Sequence, residues 1–356
     1  MAGFHPLTAS AEGPGDGRDD LARYSRQVVL PQIGNAGQRA LLRSRVLVLG
    51  CGALGTHIAE LAIRAGIGEV RLVDRDVVEL TNLQRQVLFD EGDVEARLPK
   101  AVAAARKLSR INSAALVEPK VLDVTGRNLE ALLDGVAVVL DGTDGFETRY
   151  LVNDACVKHG IPWVYAGVIG TSGMTLTVVP GRGPCLRCVL PDPPEPGSFP
   201  TCDTAGVLNT APALMAALQV TEAVKLLLGR EETHHALISF DMWSREIDSV
   251  RLERDPDCPA CGHRRFEFLE AEDGAWTSPL CGRNAVQITP RRGTSLPLDD
   301  LALRLAAVGE VVFNGFILQL AVEGLTMLLF PDGRVVVQGT SDEAVARGVY
   351  ARYVGS

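Results

Sequence analysis

Along the first half of the chain, apolar residues fall alternately into short unbroken runs and into stripes of helical spacing. Val46 to Leu49 is such a run. After a glycine turn, apolar residues recur at Ile58, Leu61, Ala62 and Ala65, as one face of a helix requires. A second run, Val70 to Val73, ends at Asp74, and Pro99 then opens a further helical stripe through Val102, Ala103, Leu108 and Ile111. A strand over Leu116 to Val121, a short helix over Asn128 to Leu133 and a strand over Val136 to Leu140 follow. A helix from Glu147 to about His159 and a strand from Trp163 to Ala166 complete the series. Strands that alternate with helices predict a mostly parallel sheet covered on both faces.

From Met174 the period changes. Met174 to Val179 alternates as an antiparallel strand does, and the proline-rich stretch Leu190 to Pro200 reads as an irregular exposed loop. Leu214, Leu218, Glu222, Lys225 and Leu228 share a helical face, with strands expected over Leu237 to Phe240 and Glu246 to Leu252. The acidic piece Glu267 to Gly274 reads as a linker to a second domain. There, Val311 to Phe313, Phe316 to Val322, Leu325 to Phe330 and Val335 to Gln338 predict strands, and Asp342 to Tyr353 a closing helix. The expected organisation is a flexible tail over 1–20, a Rossmann-like α/β domain over 21–270 whose sheet continues into antiparallel strands, and a small α+β domain over 275–356.

Composition narrows the function classes. A chain of 356 residues that is 46% hydrophobic can bury a sizeable core, and 44 acidic against 35 basic residues argues against a nucleic-acid surface. The N-terminus lacks a secretory signal. The best membrane candidate, Val311 to Phe330, is interrupted by Asn314, Gln319 and Glu323, so a cytoplasmic protein is expected.

Candidate chemistry gathers at strand ends. The first run leads into Gly50-Cys51-Gly52-Ala53-Leu54-Gly55, then a helix, a second strand and Asp74. This order is the dinucleotide-fold signature: glycines bring the backbone up to phosphate, the helix N-terminus offers free N–H groups, and the acid bonds a ribose hydroxyl. It does not choose between NAD and ATP. Asp144, just beyond the fourth strand, stands where open α/β sheets build their sites. Arg23 and Arg26 precede the fold and read on residues alone as solvated.

Two C-x-x-C pairs, Cys185/Cys188 and Cys258/Cys261, together supply the four thiolates of a closed, structural Zn²⁺ site. The pairs flank two candidate strands, and neither is expected to open a thioredoxin-like helix, which argues against a redox dithiol. Cys51, Cys156 and Cys281 read as inert core residues and His263 as a surface residue. Cys202 follows the proline-rich loop just before an expected helix, whose N-terminus lowers a thiol pKa.

These residues resemble the ThiF/MoeB/HesA adenylyltransferases, relatives of the ubiquitin-activating enzymes. The resemblance covers about Arg23 to His263 and rests on RYSRQ, GCGALG, LVDRDVVELTNLQRQ, the lysine of RLPK, DGTDG, CLRC, PTCDTAG and CPACG. It implies that ATP is attacked at its α-phosphate by the C-terminal glycine carboxylate of a small ubiquitin-like carrier. Asp74 would bond the ribose, Asn82 and Arg85 the phosphates, Lys100 the α-phosphate charge and Asp144 Mg²⁺. Arg26 would reach the γ-phosphate from the other subunit of a homodimer. Gly50, Gly52, Ala53, Gly55, Asp76, Thr81, Leu83, Gln84 and Gly145 complete the implied nucleotide-binding set, and Cys202 occupies the position that links covalently to the carrier in some members.

Gly145 and Ala53 depart from the family pattern, and no thiol beyond Cys281 could carry a persulfide. A separate sulfur donor, such as a cysteine desulfurase, is therefore expected. The resemblance is strongest to the thiamine-pathway branch, implying a ThiS-like carrier ending in Gly-Gly, with molybdopterin and tRNA-thiolation carriers as alternatives. Readings from other classes are an NAD-dependent oxidoreductase, which leaves Arg85 and Lys100 without a role, and a non-catalytic zinc-stabilised scaffold.

Overall fold

A computed structural model describes residues 21–194, 202–230, 236–270, 277–280, 284–290 and 296–355. The expected tail over 1–20 and much of the proline-rich loop lie outside the described residues. In chain order the helices are α1 Ser25–Val28, α2 Gly34–Leu42, α3 Ala53–Ala65, α4 Glu91–Glu95, α5 Lys100–Ile111, α6 Leu129–Leu132, α7 Phe146–His159, α8 Leu186–Val189, α9 Cys202–Ala205, α10 Thr210–Leu227, α11 Glu267–Glu270, α12 Leu298–Leu305 and α13 Glu343–Tyr353. None is long and apolar enough to cross a membrane.

The first sheet has eight strands: β1 Arg45–Leu49, β2 Glu69–Asp74, β3 Leu116–Val121, β4 Val138–Asp141, β5 Trp163–Ile169, β6 Ser172–Val178, β7 Ala236–Asp241 and β8 Glu246–Arg251. Their order is β3-β2-β1-β4-β5-β6-β7-β8, parallel from β3 to β5 and antiparallel from β5 to β8. The unbroken apolar run of β1 is explained by burial on both faces. Val46 and Val48 enter a core with α3, α5 and α10, while Leu47 and Leu49 enter the opposite core with α6 and α7. The chain leaves β1 towards β2 and β3, then returns to pair β4 on β1's other side. The crevice at the C-terminal ends of β1 and β4 is therefore a topological switch point, where open α/β sheets bind ligands.

The second sheet is antiparallel, with strands β9 Thr277–Leu280, β10 Ala285–Ile288, β11 Glu310–Phe313, β12 Leu318–Val322, β13 Leu325–Leu329 and β14 Val335–Gln338 in the order β11-β12-β13-β14-β10-β9. One of its faces packs on α12 and α13. The strands β9 and β10 and the helix α12 were not anticipated from the sequence.

One expectation needs correction. Glu267 to Glu270 is not linker but α11: Phe266 and Leu269 are buried in the core beside α7, and the Phe268 amide donates to Asp154. Residues 271–274 lie outside the described residues. Cys185 is the N-cap of the four-residue α8, a single turn rather than a thioredoxin-like helix.

Candidate functional site at the β1/β4 switch point

The glycine turn is built by close packing at two of its three glycines and left open at the third. Gly50 has φ +84°, and a Cβ there would lie 2.6 Å from the Gly142 carbonyl oxygen. A Cβ at Gly55 would fall 1.8 Å from the Gly50 oxygen. Gly52, the N-cap of α3, meets nothing nearer than 4.0 Å. Packing does not require glycine at position 52. The cradle it leaves, ahead of Ala53 and the free N–H groups of a 13-residue helix, fits a phosphate.

Asp74 closes this turn from β2. One of its carboxylate oxygens accepts from the Cys51 amide at 2.6 Å and the other from the Asp76 amide at 2.7 Å. Each oxygen keeps a lone pair for a further donor. Burial of the strand end pushes the Asp74 carboxyl up, and the nearby Lys100 ammonium opposes that shift. Lys100 itself is only 4% exposed, its Nζ 3.2 Å from Asp76 Oδ2 and its amide donating to the Asp76 carbonyl at 2.9 Å. A lysine at the first position of α5 is thus held deep beside the ribose candidate.

Between them, Leu80–Asn82 forms a 3₁₀ turn in which Asn82 Oδ1 accepts from the Glu79 amide at 3.0 Å. Asn82 is therefore partly structural, with its amide NH₂ as the group it can offer a phosphate. Thr81 and Gln84 are exposed, Leu83 packs on the core, and Arg85 is half-buried with Nη1 donating to the Thr81 carbonyl. Gln84 Nε2 reaches the Val207 carbonyl at 3.3 Å, and Gly170 pairs with Gly206 and Leu208, so the backbone following α9 is tied to this segment.

Opposite stands the loop after β4. Asp144 is exposed, and Gly145 is the N-cap of α7. The loop is fixed by a pair the sequence did not single out. Arg149 Nε donates to Asp141 Oδ2 at 3.1 Å and Nη2 to the Thr143 carbonyl at 2.7 Å, while the Thr143 amide and hydroxyl donate to Asp141 Oδ1. Both partners are buried. Gln219, from α10, donates to the Asp141 and Val164 carbonyls at 2.9 Å each. No periodicity signals Arg149, because α7 is buried without a break from Arg149 to Val157.

One predicted residue, Arg26, is not brought into this crevice within its own chain. Arg26 is exposed on α1, whose neighbours Arg23 and Gln27 bond the carbonyls of Ile111 and Ala65, at the C-terminal ends of α5 and α3. Those ends are a helix length, about 20 Å, from the crevice. Cys202 begins α9, but that helix is one turn closed by Gly206 at φ +74°, too short for the dipole effect expected of it. The side chain of Cys202 lies outside the described residues, as does all of Cys281. Cys51 and Cys156 are buried, and burial pushes both thiols up.

The four remaining cysteines cluster. Sγ separations are 3.5 Å for Cys185/Cys258, 3.4 Å for Cys188/Cys261 and 3.9 Å for Cys185/Cys188, with all four within 4.8 Å. A regular tetrahedron around an ion with Zn–S of ~2.3 Å has edges of about 3.8 Å, so the donor set could hold zinc. The hydrogen bond to Cys188, together with burial, pushes the Cys185 thiol far up, and the same bond holds Cys188 down to about 5. Burial raises Cys261 to about 11, so a bound cation must displace retained protons. His263 is surface-lying, 3.7 Å from Asp257.

Beside the cluster, the Asp154 carboxyl is fully buried and burial pushes it up to about 6. From about pH 4, where an unfolded aspartate ionises, to pH 6, the folded chain holds a proton the unfolded chain has lost. This group's contribution therefore falls as pH rises through that window. Chemical denaturation should show wild type losing stability relative to Asp154→Asn between pH 4 and 7; an unchanged difference would contradict the assignment.

A family model described as the ThiF family matches residues 24–260, and the chain belongs to that family. It is an adenylyltransferase by class. It is 45% identical over 337 residues to the sulfur carrier protein ThiS adenylyltransferase of Bacillus subtilis (strain 168), covering 94% of this chain and 99% of that protein. That coverage is too complete to leave out the second sheet. The SAMP-activating enzyme E1 of Haloferax volcanii is 41% identical over 254 residues, covering 71% of this chain and 93% of that one. Among solved structures, E. coli MccB with ATP has a TM-score of 0.60 at 27% identity, covering 69% of this chain and 76% of that chain.

Proposed function

We propose that the chain transfers AMP from ATP to the C-terminal glycine carboxylate of a ubiquitin-like, ThiS-type sulfur carrier, readying the carrier for sulfur transfer in thiamine biosynthesis. The observation that carries this reading is the buried Lys100 beside Asp74 and the open Gly52 cradle at the switch point. An NAD site has no use for a buried lysine and Arg85 there. Likeness to the Bacillus protein through both sheets supports the choice of carrier.

The carrier carboxylate and the triphosphate are both anionic, so the enzyme must screen their repulsion and hold the attacking oxygen in line. Asp74 receives the ribose hydroxyls, and the turn Gly50, Gly52, Ala53 and Gly55 receives phosphate. Thr81, the Asn82 amide, Leu83, Gln84 and Gly145 line the nucleotide, and Asp76 positions Lys100. As the carboxylate oxygen bonds the α-phosphorus, the bond to the bridging oxygen breaks and pyrophosphate departs with the electron pair. Lys100 and Arg85 meet the charge that develops. Asp144 is the residue to hold Mg²⁺, which when bound screens phosphate charge.

Arg26, a helix length away in its own chain, acts from a second copy in a homodimer. The Cys202 thiolate attacks the acyl carbon of the adenylate, forming a thioester as the acyl–phosphate bond breaks and AMP leaves, and sulfur comes from a separate donor such as a cysteine desulfurase. The cysteine cluster holds a structural Zn²⁺ with no position left for water. A carrier ending in Gly-Gly, incubated with the protein, ATP and magnesium, should show AMP on its C-terminal carboxylate by mass spectrometry. If every Gly-Gly carrier tried stays unmodified, the reading is wrong.

A further inference from the structure

The second sheet does not stand apart from the nucleotide site; it is docked onto the two segments that carry the site's charged residues. Ala285, Ile317, Leu328, Phe330 and Val336 form a small core that takes in Val77, just after β2, and Val121, the last residue of β3. At its centre Arg334 is 1% exposed, stacked 3.8 Å over the Phe330 ring, with Nη2 donating to the Arg75 carbonyl at 2.8 Å. Arg75 lies between Asp74, the ribose candidate, and Asp76, the partner of Lys100.

A second contact braces the other segment. Asn314 Nδ2 donates to the carbonyls of Ala96 and Arg97 at 3.1 and 2.9 Å, just ahead of Lys100. Arg97 needs such support, because its φ of +48° lies in the left-handed region that non-glycine residues rarely adopt. The two braced segments are joined to each other by the Val77/Pro99 bridge and by the Val78 amide on the Leu98 carbonyl. Gln287 Nε2 adds a bond to Asp123, the ion-pair partner of Arg75.

We propose that the second sheet is a buttress of the nucleotide site, with Arg334 and Asn314 as positioning residues that fix the Asp74–Asp76 turn and the approach to Lys100. The proposal rests on the nucleotide reading above. Neither residue touches the reacting atoms. A buried guanidinium whose ion-pair partner is Asp332, 3.6 Å away, is costly to place, and its hydrogen bond to a backbone carbonyl sets that carbonyl's position with little freedom. Loss of the bond loosens the turn, so the expected effect falls on nucleotide affinity more than on turnover.

The test measures ATP affinity by calorimetry without carrier, and KM and kcat for ATP in carrier-dependent turnover. Variants of the full chain are Arg334→Met, Arg334→Lys, Asn314→Ala and, as a control inside the second sheet's far core, Val349→Ala. Arg334→Met should weaken ATP binding about tenfold, with KM rising more than kcat falls, and Arg334→Lys should recover part of it. The half-buried Asn314→Ala should act in the same direction and fold normally. Wild-type ATP affinity in both Arg334→Met and Asn314→Ala overturns the buttress while leaving the nucleotide reading intact. Equal weakening in Val349→Ala also overturns it, because the effect is then general destabilisation. A wild-type protein that binds no ATP overturns the nucleotide reading and the proposal together.

Discussion

Removal of metal from the Cys185, Cys188, Cys258 and Cys261 cluster should abolish the cooperative thermal transition of the protein. The cluster joins turns that are 70 residues apart in sequence, from Cys188 to Cys258, and both turns are part of a core that includes Leu47 and Leu49 of the central strand. Apparent binding energies for structural zinc are about 10–16 kcal/mol, as large as the whole stability of a typical domain of ~5–15 kcal/mol. Without the ion, four thiols crowded within 4.8 Å must either take up protons or repel one another as thiolates. The check is elemental analysis for one zinc per chain, followed by circular dichroism melts of protein before and after chelation. Metal-free protein that melts at the untreated temperature would contradict a closed structural site. Cys258→Ser should behave as the chelated protein does.

Lys100→Ala should lower the rate of adenylate formation by on the order of 10²–10³, as loss of one preorganised charged or hydrogen-bonding group at a reaction centre does elsewhere. The lysine is placed by its own backbone, through the Asp76 carbonyl, and by its side chain, through the Asp76 carboxylate. Its position is therefore set before substrate arrives. Its removal leaves Asp74 without the cation that opposes the upward push of burial, so residual activity should fall further as pH is lowered. Single-turnover measurements on variant protein with an unchanged melting curve separate this effect from misfolding. Wild-type rates in that variant would remove Lys100 from the chemistry.

The parts of the site that lie on one continuous stretch were legible in the sequence. The glycine turn, Asp74 and Lys100 each sit at the end of an apolar run or the start of a helical stripe, and local period is enough to place them. The cysteine pairs were legible because metal geometry constrains spacing. What pairs across the fold was not legible. Arg149 meets Asp141 inside a helix buried on all sides, and Gln219 reaches the same strand from α10. Glutamates at both ends of α11 concealed Phe266 and Leu269, which face the core. Arg334 reads as an ordinary residue after the Pro331-Asp332-Gly333 turn, and only the docking of the second sheet buries it. Leu298, Leu301 and Leu305 of α12 did carry a helical spacing that could have been found.

Exchange of labelled pyrophosphate into ATP tests the central claim most directly, because it needs a reversible adenylate and nothing downstream of it. Exchange is expected with purified protein, magnesium and a ubiquitin-like carrier ending in Gly-Gly, and none is expected when the carrier is omitted or lacks its last glycine. Absence of exchange with every such carrier, or exchange that proceeds equally without one, would contradict the account.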